Sequence, residues 1–208
     1  MKTILKYIVL PLVLLLFGTA QTKAEFRYAV TAGAGISTLD FKQDLFKVSG
    51  IAGPQLGVQG ELMFPGIGLG IDVAAYYAML GAKCDLGSRK IWAVDGYGNE
   101  NIFLHTLEIP LNLKFKWTRM NGFEDYLAPM VFGGPVFNFN IAHSGCKAME
   151  YPFGSIGLRA GVGVEIFKKW QVSGSYTWGM TYATKAVKLD NMSARNRYWS
   201  IRVAYYFK

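Results

Sequence analysis

Hydrophobic and polar residues alternate with a period of two along most of the chain after Phe26. In segment 106–117 every second residue is large and apolar, and the residues between them are polar, charged or proline. Segments 155–167 and 198–208 follow the same pattern. Such alternation predicts β-strands with one apolar face. Runs of ten or more residues match the length that a tilted strand needs to cross a bilayer.

The same pattern predicts eight strands, at about 26–37, 53–64, 67–80, 102–118, 125–141, 153–168, 169–182 and 196–208. Short turns are expected at Pro65-Gly66, Asn121-Gly122 and Lys168-Lys169, and long links at 38–52, 81–101, 142–152 and 183–195. Strict alternation of short and long connections, with both termini at one end, is typical of outer-membrane barrels. We therefore predict that residues 25–208 form an all-β fold, an eight-stranded antiparallel up-and-down transmembrane β-barrel.

The second face of each strand indicates which side points inward. It carries glycines, small polar residues and charges of both signs, which suit a narrow lumen, so we expect the apolar face to meet lipid. A lipocalin-like barrel with an apolar interior is the alternative, but its outer surface needs more charge than the 17% of charged residues here supplies. The inward charges are expected to pair and plug the lumen; they are Glu61, Asp72, Glu108, Lys114, Lys116, Arg159, Glu165 and Arg202.

Aromatic residues concentrate towards the two ends of the apolar face. Such a distribution is typical of the girdles that transmembrane barrels place at the two membrane interfaces. The expected girdle residues are Tyr28, Phe64, Tyr77, Trp117, Trp170, Trp178, Tyr182, Trp199 and Phe207.

The first 24 residues are typical of a secretory signal peptide. Lys2 and Lys6 precede an apolar stretch at 8–17, and small residues offer cleavage sites after Ala20 or Ala24. We expect the mature chain to be exported and to reside in the bacterial outer membrane, because barrels and helices alone satisfy every backbone group in lipid.

The net charge of +8 comes from 22 basic and 14 acidic residues. The basic residues are scattered singly and form no Lys/Arg cluster, which argues against a nucleic-acid partner. Membrane lipid is the partner that the sequence predicts, since a basic excess favours anionic headgroups.

The candidate chemistry in the sequence is sparse. Cys84 and Cys146 fall in two long links of an exported chain, so we expect a disulfide between them. Two free or metal-binding thiols are the alternative, although a zinc site would need more ligands nearby. His143 and Ser144 are adjacent in one loop, a poor arrangement for a nucleophile and its base, and His105 stands near the end of a strand. We expect no enzyme activity, no metal and no cofactor.

Four motifs stand out in the predicted strands: LEIPLNLKFKW at 107–117, YLAP at 126–129, GLRAGVGVE at 157–165 and the ending YYFK at 205–208. They resemble motifs of the PorT-like outer-membrane β-barrel proteins of Bacteroidetes. The resemblance implies an eight-stranded barrel, and one member of that family is linked to type IX secretion. The aromatic near the C-terminus also looks like the signal by which barrel-assembly machinery recognises its clients.

Two classes of function remain open. In the first, the barrel is a structural or interaction protein whose loops bind an extracellular protein or glycan. Apolar loop residues favour this class: Phe46, Ile51, Ile91, Trp92 and Tyr97. In the second, the barrel transports a small polar or hydrophobic solute, which leaves through a weakened wall near Gly133-Gly134-Pro135.

Overall fold

The computed structural model describes residues 25–43, 46–64, 67–88, 93–94, 96–118, 122–144, 146, 149–187 and 193–207. These residues form ten β-strands: β1 (Glu25–Phe41), β2 (Val48–Phe64), β3 (Leu69–Asp85), β4 (Asn99–Lys116), β5 (Leu127–His143), β6 (Met149–Glu150), β7 (Gly154–Ile166), β8 (Trp170–Gly179), β9 (Thr184–Ala186) and β10 (Ser193–Phe207). Single 3-10 turns lie at Leu86–Ser88 and Phe123–Asp125. The signal peptide expected at 1–24 lies outside the described residues.

Eight of the strands close into a barrel. The wall runs β1-β2-β3-β4-β5-β7-β8-β10, and antiparallel pairing of β10 with β1 completes the circle. The short β9 pairs with the end of β10, and β6 pairs with β9, so these two extend the wall at one end. The predicted eight-stranded antiparallel barrel is confirmed. In the part of the chain that the structure describes, no helix has the length and apolar character needed to span a bilayer.

The two ends of the barrel differ. Glu25 and Phe207, the two ends of the described barrel, and the short connections lie at one end, here called the turn end, and the long connections lie at the other, the loop end. At the loop end the strands are longer than predicted: β3 continues to Asp85 instead of residue 80, and β4 begins at Asn99 instead of 102. The reason is that Ala82 and Cys84 still point inward while Lys83 points outward, so the alternation continues with its polarity reversed.

Towards the turn end the apolar face is the outer one. Leu111 on β4 and Val203 on β10 are exposed on the outside of the barrel, whereas Arg202 is buried in the interior. An outer face with so many exposed apolar side chains would be unfavourable in water, so this face is suited to lipid.

Both faces of the wall change polarity near the loop end, as β10 demonstrates. Its outward residues are apolar from Phe207 to Trp199, and the next two outward residues are Arg197 and Arg195. Its inward residues change in the opposite sense, from the charged Arg202 to the apolar Ala194. The barrel therefore has a lipid-suited part and, beyond it, a water-suited part.

The expected girdle residues lie in two groups on the outer face. Tyr28, Phe64, Trp117, Trp170 and Phe207 lie near the turn end, and Tyr77, Trp178, Tyr182 and Trp199 lie towards the loop end. Tyr28 stacks on Phe207 with ring centroids 5.5 Å apart, and Trp199 contacts Tyr176 at 4.7 Å.

The tight turn between β7 and β8 has a strained backbone. Its central residues are Phe167 and Lys168, one position earlier than predicted, and their φ angles are 51° and 57°. The amide of Lys169 donates to the carbonyl of Ile166 at 3.2 Å and closes the turn. Two consecutive positive φ angles define the hairpin turn that favours Asn-Gly, because other side chains crowd the backbone there.

Replacing Phe167-Lys168 with Asn-Gly is expected to raise the free energy of unfolding by about 1–2 kcal/mol, because it relieves the cost of the left-handed conformation. The replacement removes an exposed ring contact with Tyr126 and an exposed ion pair with Asp125. Urea unfolding of the barrel in liposomes measures the change. As a control, Lys169→Gly should give no gain, because Lys169 does not have a positive φ.

Candidate functional site

The interior at the turn end holds a dense network of ion pairs centred on Glu61. Its carboxylate accepts hydrogen bonds from Lys114 at 2.5 Å, from Lys116 at 3.1 Å and from Arg27. Glu165 bridges the same group, 2.6 Å from Arg27 and 2.7 Å from Lys116. The strands bring these residues together because each occupies an inward position at the turn end of β1, β2, β4 or β7.

Neutral groups and a third carboxylate complete this network. Asp72 lies 3.0 Å from Lys114 and accepts a hydrogen bond from Asn112 at 2.7 Å. The Tyr206 hydroxyl lies 3.0 Å from Glu61 and 2.8 Å from Gln171. Arg27, Lys114 and Lys116 therefore face Glu61, Asp72 and Glu165, which balances the charge as burial in a narrow lumen requires.

A second network lies further up the lumen and is centred on Glu108. This fully buried carboxylate accepts hydrogen bonds from Arg159 at 2.7 Å and from Arg202 at 3.0 Å. Two guanidinium groups thus share one carboxylate. The Arg202 guanidinium lies 4.6 Å above the ring of Tyr76, and that of Arg159 lies 5.8 Å from the ring of Tyr198. The aromatic faces stabilise the second positive charge by cation–π attraction.

Above Glu108 the interior becomes largely apolar. Buried side chains from the strands and from the connections form one cluster there, which we call the apolar layer: Leu39, Ala78, Leu80, Ala82, Cys84, Leu86, Ile102, Leu104, Cys146, Met149, Ala183, Ala194 and Tyr198. The buried neutral side chains of Thr184 and Asn196 lie at the same end. The expectation of a lumen lined by charges therefore holds only towards the turn end. The physical reason is that β3 and β10 carry outward Lys83, Arg195 and Arg197 there, so these strands bury apolar residues inward, as in a water-soluble barrel.

The inward positions hold contacts that our reading of the sequence missed. Arg27 and Tyr206 both join the Glu61 network, although neither was among the expected lumen residues. The signal was present in the alternation, because Tyr206 has the same parity as Arg202 and Arg27 the same parity as the inward Thr31. All eight expected lumen charges lie buried in the interior.

The turn end of the lumen is open to solvent. A cavity of about 1050 Å³ there is lined by side chains that include Arg27, Lys116 and Glu165. Water can therefore reach the lower surface of the Glu61 network, but the Glu108 network and the apolar layer lie beyond it. The cavity forms the mouth of the lumen, and the charged side chains of the Glu108 network beyond it are buried.

The expected disulfide is wrong for this structure. Cys84 and Cys146 both contribute to the apolar layer, but no disulfide joins these two described residues. Burial among apolar side chains, together with the neighbouring Cys146, raises the pKa of the Cys84 thiol to about 12. Proximity in the fold was predicted correctly, yet the two side chains serve here as small apolar packing groups.

Both histidines stack on tyrosine rings. His105 is on the outer face, where it stacks on Tyr77 and shares a 2.6 Å hydrogen bond with its hydroxyl. His143 stacks on Tyr151, and the Ser144 hydroxyl accepts a hydrogen bond from the amide of Phe103. Among the described residues no group of three or more His, Cys, Asp or Glu is placed to hold a metal ion.

Removing the Glu108 carboxylate by Glu108→Ala is expected to lower the free energy of unfolding by about 3–5 kcal/mol, because two buried guanidinium groups lose their counter-ion. Urea unfolding in liposomes measures this loss. The matched control is Asp125→Ala, whose partner Lys168 is 61% exposed, and the expected change is below about 1 kcal/mol. Equal effects of the two substitutions would contradict the assigned role of Glu108.

The Cys84 thiol is expected to resist a maleimide in the folded barrel, because it is buried and its raised pKa leaves little thiolate at pH 8. After unfolding without reductant it should react fully. Ser49→Cys supplies a control thiol, since Ser49 is exposed on the neighbouring strand opposite Lys83 and should react quickly in the folded state. Labelling that requires a reductant would show that Cys84 and Cys146 are bonded.

The sequence and fold are similar to those of known outer-membrane proteins. Residues 8–207 match the family described as outer membrane protein beta-barrel domain, whereas no curated protein matches the chain. Among solved structures, OprG from Pseudomonas aeruginosa is similar with a TM-score of 0.53 and 16% identity over 88% of this chain and 97% of its own.

A major outer membrane protein from Thermus thermophilus gives a TM-score of 0.48 and 14% identity over 88% of this chain and 99% of its own. Outer Membrane Protein W of E. coli gives a TM-score of 0.43 and 16% identity over 90% of this chain and 100% of its own. The match to the family covers almost the whole chain, and the closed barrel with its exposed apolar wall agrees with it. The chain belongs to the outer membrane protein β-barrel domain family and is an integral outer-membrane protein.

Proposed function

We propose that this protein is a non-conducting barrel that acts through its extracellular surface as a structural and binding protein. In outer-membrane barrels short turns face the periplasm and long loops face the exterior, so we infer that the loop end is extracellular. The observation that carries the proposal is the filled lumen. Two ion networks and the apolar layer follow one another along it.

The apolar layer is the part of this filling that most opposes conduction. Ions that pass through paired charges still find hydrogen-bonding groups, but Leu80, Ile102 and Leu104, all buried, offer none. Entry of an ion into such a region requires its dehydration, for which neutral side chains such as Thr184 and Asn196 offer only weak compensation. A transport function would need this layer to open.

The wall next to the Gly133-Gly134-Pro135 segment gives little support to lateral transport. The β4–β5 ladder is interrupted between the pairs Pro110–Val136 and Leu113–Gly133, where prolines lack amide donors. Nevertheless the two backbones remain in close contact, because a Cβ added at Gly134 would clash with the carbonyl oxygen of Leu111. The interruption is a local loss of hydrogen bonds in a wall that stays closed.

The extracellular part supplies a surface suited to a partner. The loop residues Phe46 and Tyr97, expected to be exposed, instead pack against the apolar layer; Ile91 and Trp92 lie outside the described residues. Other exposed apolar residues lie at the loop end: Ile141 on β5 with 64% exposure, Phe153 just before β7 with 76%, and Val94 in a long link with 85%. Exposed apolar side chains beyond the lipid-suited zone favour contact with an extracellular protein.

The narrower assignments rest on the sequence motifs. The PorT-like resemblance, and with it a part in type IX secretion, stays a prediction from strand patterns. We also expect barrel-assembly machinery to act on the C-terminal strand, which ends at Phe207 and closes the barrel against β1.

The purified barrel is expected to show no steady current in planar bilayers, because the apolar layer blocks ion passage. Folding and insertion are checked on the same samples by heat-modifiable gel migration. The substitution Glu61→Gln should leave the protein silent, since the apolar layer and the Glu108 network remain above it. A steady conductance of the folded wild-type protein would overturn the proposal and favour transport.

A further inference from the structure

A positively charged cluster lies on the outer wall just beyond the loop-end girdle. Arg197 and Arg195 follow Trp199 at alternate positions of β10 and point outward. Lys42 follows β1 and donates its backbone amide to the carbonyl of Ser193, which brings it beside the same edge of β10. Three cations therefore lie a short distance beyond the lipid-suited surface.

One carboxylate faces these cations. Asp40 pairs with Arg195 across the β1–β10 ladder and lies 2.7 Å from the Arg197 guanidinium. Both members of that ion pair are 45% exposed, so water screens the attraction and the pair holds Arg197 weakly. The cluster keeps a net positive charge and can exchange this contact for a stronger anion.

Tyr182 contacts the basic residues of the cluster. The Arg195 guanidinium lies 5.7 Å from the centre of its ring, and its hydroxyl is hydrogen-bonded to Ser193 and Arg195 and close to the Lys42 charge. These contacts hold Arg195 and Lys42 near each other although both are exposed. The arrangement is an exposed basic cluster with a hydroxyl and an aromatic ring beside it.

Among the described residues, Lys42, Arg195 and Arg197 lie together at the β1–β10 edge, whereas Lys47 and Lys83 lie apart from them beside the β2–β3 edge. On the opposite wall, the outward positions at the loop end of β5 carry Phe139 and Ile141. A general attraction to an anionic membrane surface would not require this clustering. A ligand that carries fixed phosphate groups beside acyl chains would match a basic cluster that follows directly on the outward residue Trp199.

We propose that Lys42, Arg195 and Arg197 form a binding site for the phosphate groups of a phosphorylated glycolipid in the outer leaflet. The guanidinium groups offer paired N–H donors to phosphate oxygens, Lys42 contributes a further charge, and the acyl chains lie along the apolar wall below. The site depends on the barrel's place in the outer membrane and not on any partner of its extracellular surface.

Lipid A with two phosphate groups is the probe. Titrated into the barrel in neutral detergent, it should raise the apparent unfolding temperature in heat-modifiable gels, as expected of a ligand that binds the folded state alone. The double variant Lys42→Ala/Arg195→Ala should bind it about 30-fold more weakly, since each basic residue near a lipid surface contributes about a factor of five to affinity.

Three controls separate the lipid site from simpler explanations. The double variant Lys47→Ala/Lys83→Ala also removes two exposed cations of the extracellular wall, but outside the cluster, and should keep wild-type affinity. Dephosphorylated lipid A and inorganic phosphate should each give no shift. Raising the salt concentration should weaken the wild-type response, because exposed charges are screened.

The proposal is overturned if lipid A fails to stabilise the wild-type barrel. It is also overturned if both double variants lose affinity equally, which would indicate attraction to overall charge. An equal shift with the dephosphorylated lipid would assign binding to the acyl chains, and an equal shift with inorganic phosphate would assign it to the anion alone.

Discussion

Compensation of buried charge is the constraint on which this barrel depends. A narrow lumen surrounded by lipid gives the ions above its mouth no bulk water, so each of these charges must have a counter-charge or an aromatic face within contact. The Glu61 and Glu108 networks meet this requirement with side chains from six of the eight wall strands. Glycines provide the space, because a Cβ at Gly33 would meet the side chain of Arg202.

The same strands obey a second rule beyond the membrane. From Tyr77 to Asp85, β3 runs about 25 Å further at 3.3 Å per residue. There the outer face meets water and the inner face is sealed, so the inward residues become Leu80, Ala82 and Cys84. One continuous strand is therefore a membrane strand in its first half and a soluble-barrel strand in its second, and the change occurs at the girdle.

This reversal explains what the sequence could and could not predict. Period-two alternation assigned Glu108 and Arg202 to the same inward face, and strand number and pairing followed from it because lipid makes the contrast between faces large. At residues 81–85 the alternation persists but its sign changes, so the pattern there predicts a loop where the structure has strand. The stagger between strands of the closed barrel brings Glu108 to Arg159 and lets two arginines share one carboxylate. No single strand encodes that stagger.

The order of the interior layers also determines where function can lie. If the ion networks alone filled the lumen, rearrangement of a few long side chains could open a polar path. The apolar layer removes that option, because its seal is built from the wall strands and from residues such as Phe46 and Tyr97 that pack against it. Under the function proposed above, such a barrel presents its outer wall and rim to the exterior. The charges and aromatic residues placed there, and not the lumen, would then be the groups that recognise other molecules.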